Sequence, residues 1–378
     1  MAITLDGTLG ITSPLETVVG QFSSASTMGF KNRIINGACV IDQRNAGASV
    51  TIPATTIAYT VDRFFAYATQ ASKYSVQQNA GSVTSPAGFT NYAGITSLSA
   101  YSVTSTDEFN YAQTIEGFNI ADLAWGTANA QSITLSFWVR SSLTGTFGGS
   151  LKNNGNARSY PYSYTISSAN TWEQKTISIV GDTTGTWLTN NGNGLTVTFG
   201  LGQGSTRAST AGSWQAGNFT NVTGATSVVG TSGATFYITG VQLEKGSTAT
   251  SFDYRPYGTE LSLCQRYYYK NFPAATNVSF CIGFNSTTTV TYGSIFFPVS
   301  MRTAPTALEQ NGTANNYLVA YLGTSSTCSS VPIFREASTI ESNISFTVAS
   351  GLTAGQACQM RTDPTNGATA YLAWSAEL

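Results

Sequence analysis

The sequence predicts an all-β protein of two large β-units behind a short N-terminal arm, and three observations predict it. Apolar and polar residues alternate along many short runs, the period of a half-buried strand. Glycine, 37 of 378 residues, punctuates those runs with turns. Charge is scarce at 9%, against roughly 25% in ordinary soluble domains, while aromatics reach 12%. Thr, Ser, Asn and Gly carry the polarity instead, and Thr, Tyr, Phe and Val suit a pleated surface. With 41% hydrophobic residues the chain can bury a core, and a disordered chain would combine more charge with fewer aromatics. At about 150 residues per domain the length predicts two or three domains.

Residues 1–30 come first. ITLDGTLGIT reads as two short strands joined at Asp6-Gly7, followed by the linker-like SSAST. Such an arm is too small to bury a core alone and must pack on something larger. Residues 31–256 form the first large unit. Its expected strands are Arg33 to Ile41, Asp62 to Ala68, Tyr74 to Gln78, Tyr111 to Phe118, Ile133 to Arg140, Tyr160 to Ile166, Trp172 to Val180, Leu195 to Leu201 and Phe236 to Leu243, with one helical turn at Ile120 to Trp125. The alternation is clearest where Ile133, Leu135, Phe137 and Val139 oppose Thr134, Ser136, Trp138 and Arg140. In the closing strand Gly240 interrupts the pattern and marks a bulge. Many short strands between Gly-rich turns indicate a sandwich or jelly roll. Residues 257–378 form a second β-sandwich, entered through a short helix at Glu260 to Arg266. Its expected strands are Arg266 to Asn271, Val278 to Phe284, Thr287 to Val299, Tyr317 to Leu322, Ile344 to Val348 and Ala368 to Ala376. Pro298, Pro305 and Pro332 mark edges or turns.

The stretch from Phe236 to Lys270, FYITGVQLEKGSTATSFDYRPYGTELSLCQRYYYK, carries a resemblance. A V-Q-L-E strand, an aromatic-acidic-aromatic-Arg-Pro run and an L-C-Q-R-Y-Y entry follow one another. Together with NRIINGACVIDQRNAG, YTVDRFF, SITLSFWVRSS, FFPVSMRTAPT and the closing SAEL, this resembles bacteriophage tail-fibre and virion structural proteins with a carbohydrate-binding-module-like jelly roll. The resemblance implies an N-terminal arm for attachment to other virion tail or capsid proteins, a homotrimer, and host attachment through surface glycans. A capsid decoration or head fibre protein and a stand-alone lectin-like module are the alternatives. The family pattern also implies a structural calcium held by a carboxylate near the first strand and another on the last, Asp42 and Glu244. Pairing of Asp42 with Arg44 or Arg63, and of Glu244 with Lys245 or Arg255, is the competing role.

The remaining chemistry is narrow. The chain has no histidine, which removes Ser-His-Asp, Cys-His and most catalytic zinc systems. Only carboxylate chemistry remains, and a glycosidase needs two carboxyls about 5 to 10 Å apart. Asp42, Asp62, Asp107, Glu108, Glu116, Asp122, Glu173 and Asp182 sit in no distinctive motif, so the expectation is a protein without enzymatic activity. A net charge of −1 without clustered Lys and Arg argues against nucleic acid. No apolar run approaches the length that spans a bilayer, and the first residues lack the basic and hydrophobic regions of a signal peptide. The five widely spaced cysteines read as buried free thiols of a protein made in a reducing cytoplasm; the expected residence is the virion.

Sugar binding uses flat aromatic faces with polar groups that fix orientation. Trp187 and Trp214 lie in Gly/Asn/Thr-rich loops, and Tyr160 and Tyr162 flank Pro161 after another. These four are the candidate carbohydrate-binding residues, with packing inside the sandwich or against a neighbouring subunit as their competing role. Trp138, Trp172 and Trp374 lie on expected strands and read as packing residues.

Overall fold

In the computed structural model the described part of the chain is residues 30–378 together with three short upstream strands, Thr4–Asp6, Gly10–Ser13 and Glu16–Thr17. Those three pair antiparallel, Asp6 opposite Gly10, so the expected strand pair of the arm is present. The docking of the arm on a virion partner, and residues 1–3, 7–9, 14–15 and 18–29, lie outside the described residues.

The first unit is a jelly-roll sandwich of a six-stranded and a seven-stranded sheet. The six-stranded sheet has Ile133–Ser141 and Thr235–Lys245 at its centre, paired antiparallel. The seven-stranded sheet is built on Glu108–Glu116, Asn193–Gln203, Gly145–Lys152 and Arg158–Ile166. The alternating faces meet as predicted: Ile133, Leu135, Phe137, Val139, Leu195, Val197, Phe199 and Leu201 share one core. Gly240 sits in the left-handed region at φ 61°, and the register slips beside it, Ser136 facing Gln242 but Trp138 facing Thr239. A Cβ at Gly240 would lie 2.6 Å from the Phe89 ring, so the bulge needs glycine there.

The run Arg33 to Ile41 is not a strand. Asn36 and Cys39 take left-handed conformations, and the Asn36 amide donates to the carbonyls of Ile41 and Asp62. The segment is therefore a buried turn that packs Ile35 and Ile41 against Cys264 and Tyr267.

The second unit is entered through the helix Tyr257–Gln265. It is all-β as expected, and its sandwich closes at the edges. Ser279–Asn285, Val290–Phe296, Glu341–Val348, Thr324–Ala337, Tyr317–Tyr321 and Ala357–Thr362 hydrogen-bond in a ring. Closure leaves no free strand edge in that ring. A side sheet of Tyr268–Asn271, Leu372–Ser375 and Glu309–Gln310 packs alongside. Trp374, fully buried, stacks on Tyr269 and meets Phe297 edge to face, which is the packing role the sequence gives it.

The two cores meet across a polar seam. Arg63, 2% exposed, pairs with Glu377, donates to the Thr114 carbonyl at 2.7 Å and lies 3.5 Å over the Tyr267 ring. Arg266 makes a two-pronged contact to Glu116 (2.6 and 3.0 Å), which also accepts from the Tyr267 hydroxyl. Burial pushes the Glu116 carboxyl up, but the bonds from Arg266 and Tyr267 outweigh it and hold the group below its ordinary range. Arg44 bonds Glu309 and stacks 3.6 Å over Tyr268. Arg302 donates to the carbonyls of Ala376 and Glu377, and the Tyr59 hydroxyl to that of Leu378. The SAEL segment is thus clamped by side chains of both units.

Candidate functional site

The structure brings three of the four predicted sugar-binding aromatics together and turns their faces inward. Trp187 and Trp214 meet edge to face at 5.3 Å, each meets Trp125 (4.7 and 5.2 Å), and Tyr160 closes the cluster against Trp214 at 5.3 Å. All three indole N–H groups are used internally, by the carbonyls of Gln131, Thr184 and Val180. Arg158 supports the cluster with a two-pronged bond to Asp182 (2.7 and 2.8 Å). Tyr162 stands apart, fully buried, with its hydroxyl on the Thr198 carbonyl. Their burial has a plain cause: the Gly/Asn/Thr-rich loops fold back over the end of the sandwich and cover their aromatics as a small second core. Trp187, Tyr160 and Tyr162 are buried in this packing, and Trp214 is half-buried.

Asp42 and Glu244 each bond within their own loop. Asp42 accepts the backbone N–H groups of Asn45 and Gly47, closing its own turn. Burial pushes its carboxyl up, only partly offset by those bonds. Glu244, 3% exposed, accepts from the Thr250 N–H and hydroxyl and from Gln242. Among the described residues no cluster of three or more His, Cys, Asp or Glu could hold a metal. The proposed ion pairs of Asp42 and Glu244 are absent among the described residues as well, because neutral donors fill both carboxylates.

A cleft of about 850 Å³ lies elsewhere, at the end of the sandwich beside the helix of the seam. Two exposed aromatic rings line it, Phe118 at 60% and Phe30 at 61% exposure, with the Arg255 guanidinium 5.4 Å over the Phe30 ring. Glu108–Glu116 ends one residue before Gly117, whose ideal Cβ would come 2.5 Å from the Leu188 carbonyl. The chain therefore breaks into single 3-10 turns at Gly117–Asn119 and Ala121–Leu123, and these turn Phe118 out and Asp122 into the cleft.

Between the rings lies a polar wall. Arg33 donates to both Asp122 carboxylate oxygens (2.8 and 2.9 Å) and to the Asn119 carbonyl. Lys245 adds a 3.6 Å contact to Asp122 and a 3.1 Å bond to its carbonyl. Burial pushes the Asp122 carboxyl up, but the Arg33 and Lys245 charges and bonds prevail, so it stays below its ordinary range. A carboxyl held ionised in this way accepts hydrogen bonds and is a poor general acid. Gln131 and Asn119 are exposed on the same cleft. The arrangement offers apolar ring faces flanked by donors and one carboxylate, the composition of a site for a polyhydroxylated ligand. The sequence reading missed it because Phe118 stood as the last residue of a strand; the Gly117 step before it was the available signal.

No protein-family model matches the chain, and no curated protein matches it. Solved structures show distant backbone likenesses. One is the enzymatically active domain of tailspike protein 4 from bacteriophage CBA120, at 12% identity over 57% of this chain and TM-score 0.30. The chain spans 21% of that domain's own length. Another is a family 11 carbohydrate-binding module from Clostridium thermocellum in complex with a β-1,3-1,4-mixed-linked tetrasaccharide, at 13% identity, covering 50% of this chain and 91% of that one, TM-score 0.25. A third, TmCBM61 in complex with β-1,4-galactotriose, shows 9% identity over 48% of this chain and 88% of its own, TM-score 0.26. With scores this low, the reading of the cleft rests on the chain's own side chains.

Proposed function

We propose that this protein is a structural and adhesive component of a bacteriophage virion, a tail fibre that attaches to the host by multivalent binding of surface glycans and catalyses no reaction. The observation that carries the glycan part is the cleft: two exposed phenyl rings beside Arg33, Asn119, Gln131, Lys245 and an ionised Asp122. A pyranose presents one apolar face and a rim of hydroxyls, which these groups complement. Single contacts of this kind are weak, and copies assembled side by side gain avidity. In this reading residues 1–30 attach to a tail or capsid partner, 31–256 carry the glycan cleft, 257–378 form the second domain, and three chains assemble. The clamped seam supports a mechanical role, because buried ion pairs hold the two β-units in one register.

The test is binding of polysaccharide extracted from host cell surfaces, with Phe118→Ala beside the wild type. Phe118 is exposed, so its removal leaves the fold intact. The expected result is at least a tenfold loss of affinity, about 1.4 kcal/mol, with unchanged melting. Equal affinity for the two proteins would refute the cleft as the glycan site.

A further inference from the structure

Among the described residues, eight of the fifteen exposed large apolar side chains lie beyond residue 270, on or beside the barrel. Five of its outward groups gather on one face. Phe284 on Ser279–Asn285 sits opposite Tyr292 on Val290–Phe296, with ring centroids 5.8 Å apart. Tyr292 sits opposite Ser345, and Ser345 opposite Ile333, so one cross-strand row runs over four strands. Ile282 and Phe296 flank the row along their own strands. Ile282 is 71% exposed, Phe284 51%, Phe296 70% and Ile333 52%. The face presents on the order of 500 Å² of apolar surface, the upper range for a solitary protein.

Charges rim this face by sign. Arg361 on Ala357–Thr362 borders the Ile282 side; across the face two strands lie between it and the strand of Glu341, and Glu336 is one strand further. Arg335 lies 3.8 Å over the Tyr292 ring within the face. None of these four charged groups makes an ion pair among the described residues, and the Arg361 Nε is buried without a partner. Arg361 at one border and Glu341 and Glu336 towards the other, with Arg335 inside the apolar centre, give the face unlike charged edges that a copy of itself can match. Because the ring of strands has no open edge, the partner must meet this face through side chains and not by adding a strand.

We propose that this outer face of the barrel is the contact between copies of this chain, packed head to tail so that the Arg361 border of one copy meets the Glu336 and Glu341 border of the next. Head-to-tail contacts close into a ring where the rotation between copies closes and run on as a filament where it does not, and a trimer requires the ring. An apolar centre with a polar rim approaches the roughly 800 Å² per partner of a standard interface. The inference rests on the self-assembly part of the proposed function and on nothing in its glycan part.

The experiment measures the mass of the purified full chain by light scattering and sedimentation, for wild type, Ile282→Glu/Phe284→Glu, Glu341→Arg, and Glu341→Arg/Arg361→Glu. The expected wild type is a trimer. The apolar double variant should run as a single chain with unchanged circular dichroism, since both side chains stand in solvent. Glu341→Arg should raise the dissociation constant at least tenfold, and adding Arg361→Glu should restore it. A wild type that stays a single chain at high micromolar concentration would overturn the self-assembly reading itself. A wild-type trimer whose mass survives the apolar substitutions would leave self-assembly standing and overturn this face as its contact. Should the apolar variant misfold, the charge series decides: indifference to Glu341→Arg overturns the proposal.

Discussion

Replacing Glu377 by alanine tests the clamp between the two β-units. Glu377 is the carboxylate partner of Arg63, and their side chains are only 6% and 2% exposed. Removing one member of a buried pair leaves an uncompensated charge in a poor solvent and costs about 3–5 kcal/mol. Arg63 would keep the Thr114 carbonyl at 2.7 Å and the Tyr267 ring at 3.5 Å, and a desolvated cation–π contact is worth about 2 kcal/mol. The loss should therefore fall near the lower bound, about 3 kcal/mol. With an unfolding entropy of about 2.1 cal/mol/K per residue, that lowers Tm by about 4 °C if the two units melt together and about 12 °C if the C-terminal unit melts alone. Differential scanning calorimetry distinguishes the two, because separate melting splits the transition. The double variant Arg63→Met/Glu377→Leu should regain most of the loss, since an apolar pair of similar volume avoids the stranded charge. A Glu377→Ala variant whose Tm falls by less than about 1 °C would refute the clamp.

Further outcomes follow from the same structure. Trp187→Ala removes the centre of the tryptophan cluster and should cost about 3–5 kcal/mol in denaturant unfolding, with glycan affinity of the folded fraction unchanged. Asp107 accepts from Thr104, Thr69 and Tyr101; burial pushes its carboxyl up, but these bonds prevail and lower it from 3.8 to about 2. A depressed carboxyl stabilises fully above its unfolded value and loses that contribution as pH falls through the folded one. Asp107→Asn should thus be less stable than wild type at neutral pH, and the gap should close between pH 3.8 and about 2, as read by urea midpoints. Calcium or a chelator should move the melting temperature by less than about 1 °C, because Asp42 and Glu244 are occupied by their own loops; a larger rise with calcium would restore them as ligands.

Where the two faces of a strand differ in polarity, the fold was legible in the sequence. Ile133 to Val139 and Leu195 to Leu201 alternate because one face meets the core, and Gly240 announced its own bulge. Gly145–Lys152 escaped because both of its faces are covered and three of its residues are glycine, which erases the period. Thr324–Ala337 escaped because its register slips repeatedly and Pro332 lies inside it. Arg33 to Ile41 reads as a strand by composition, yet Asn36 wins locally by bonding two carbonyls that a strand would have left to a neighbour.

The site was harder to read than the fold. A tryptophan in a Gly-rich loop has the same sequence signature whether the loop stands in solvent or folds back on the sandwich. Only tertiary contacts decide, and here Trp125, distant in sequence, fills the space a ligand would need. The open cleft depends on a strand ending two residues before Phe118, signalled only by Gly117, and on Arg33 reaching Asp122 across 89 positions, which has no local signal. The seam was partly visible: the break after Lys245 and the aromatic entry at Tyr267 mark where the second unit begins, but the pairing of Arg63 with Glu377 is a contact between opposite regions of the chain.

Whether this molecule grips sugar polymers without cutting them is tested most directly in a single sample. Purified protein is titrated with host surface polysaccharide while bound ligand and newly formed reducing ends are measured together. Saturable binding that Phe118→Ala abolishes, with reducing ends flat over hours, is the predicted result. Reducing ends that accumulate with time and protein concentration would contradict it.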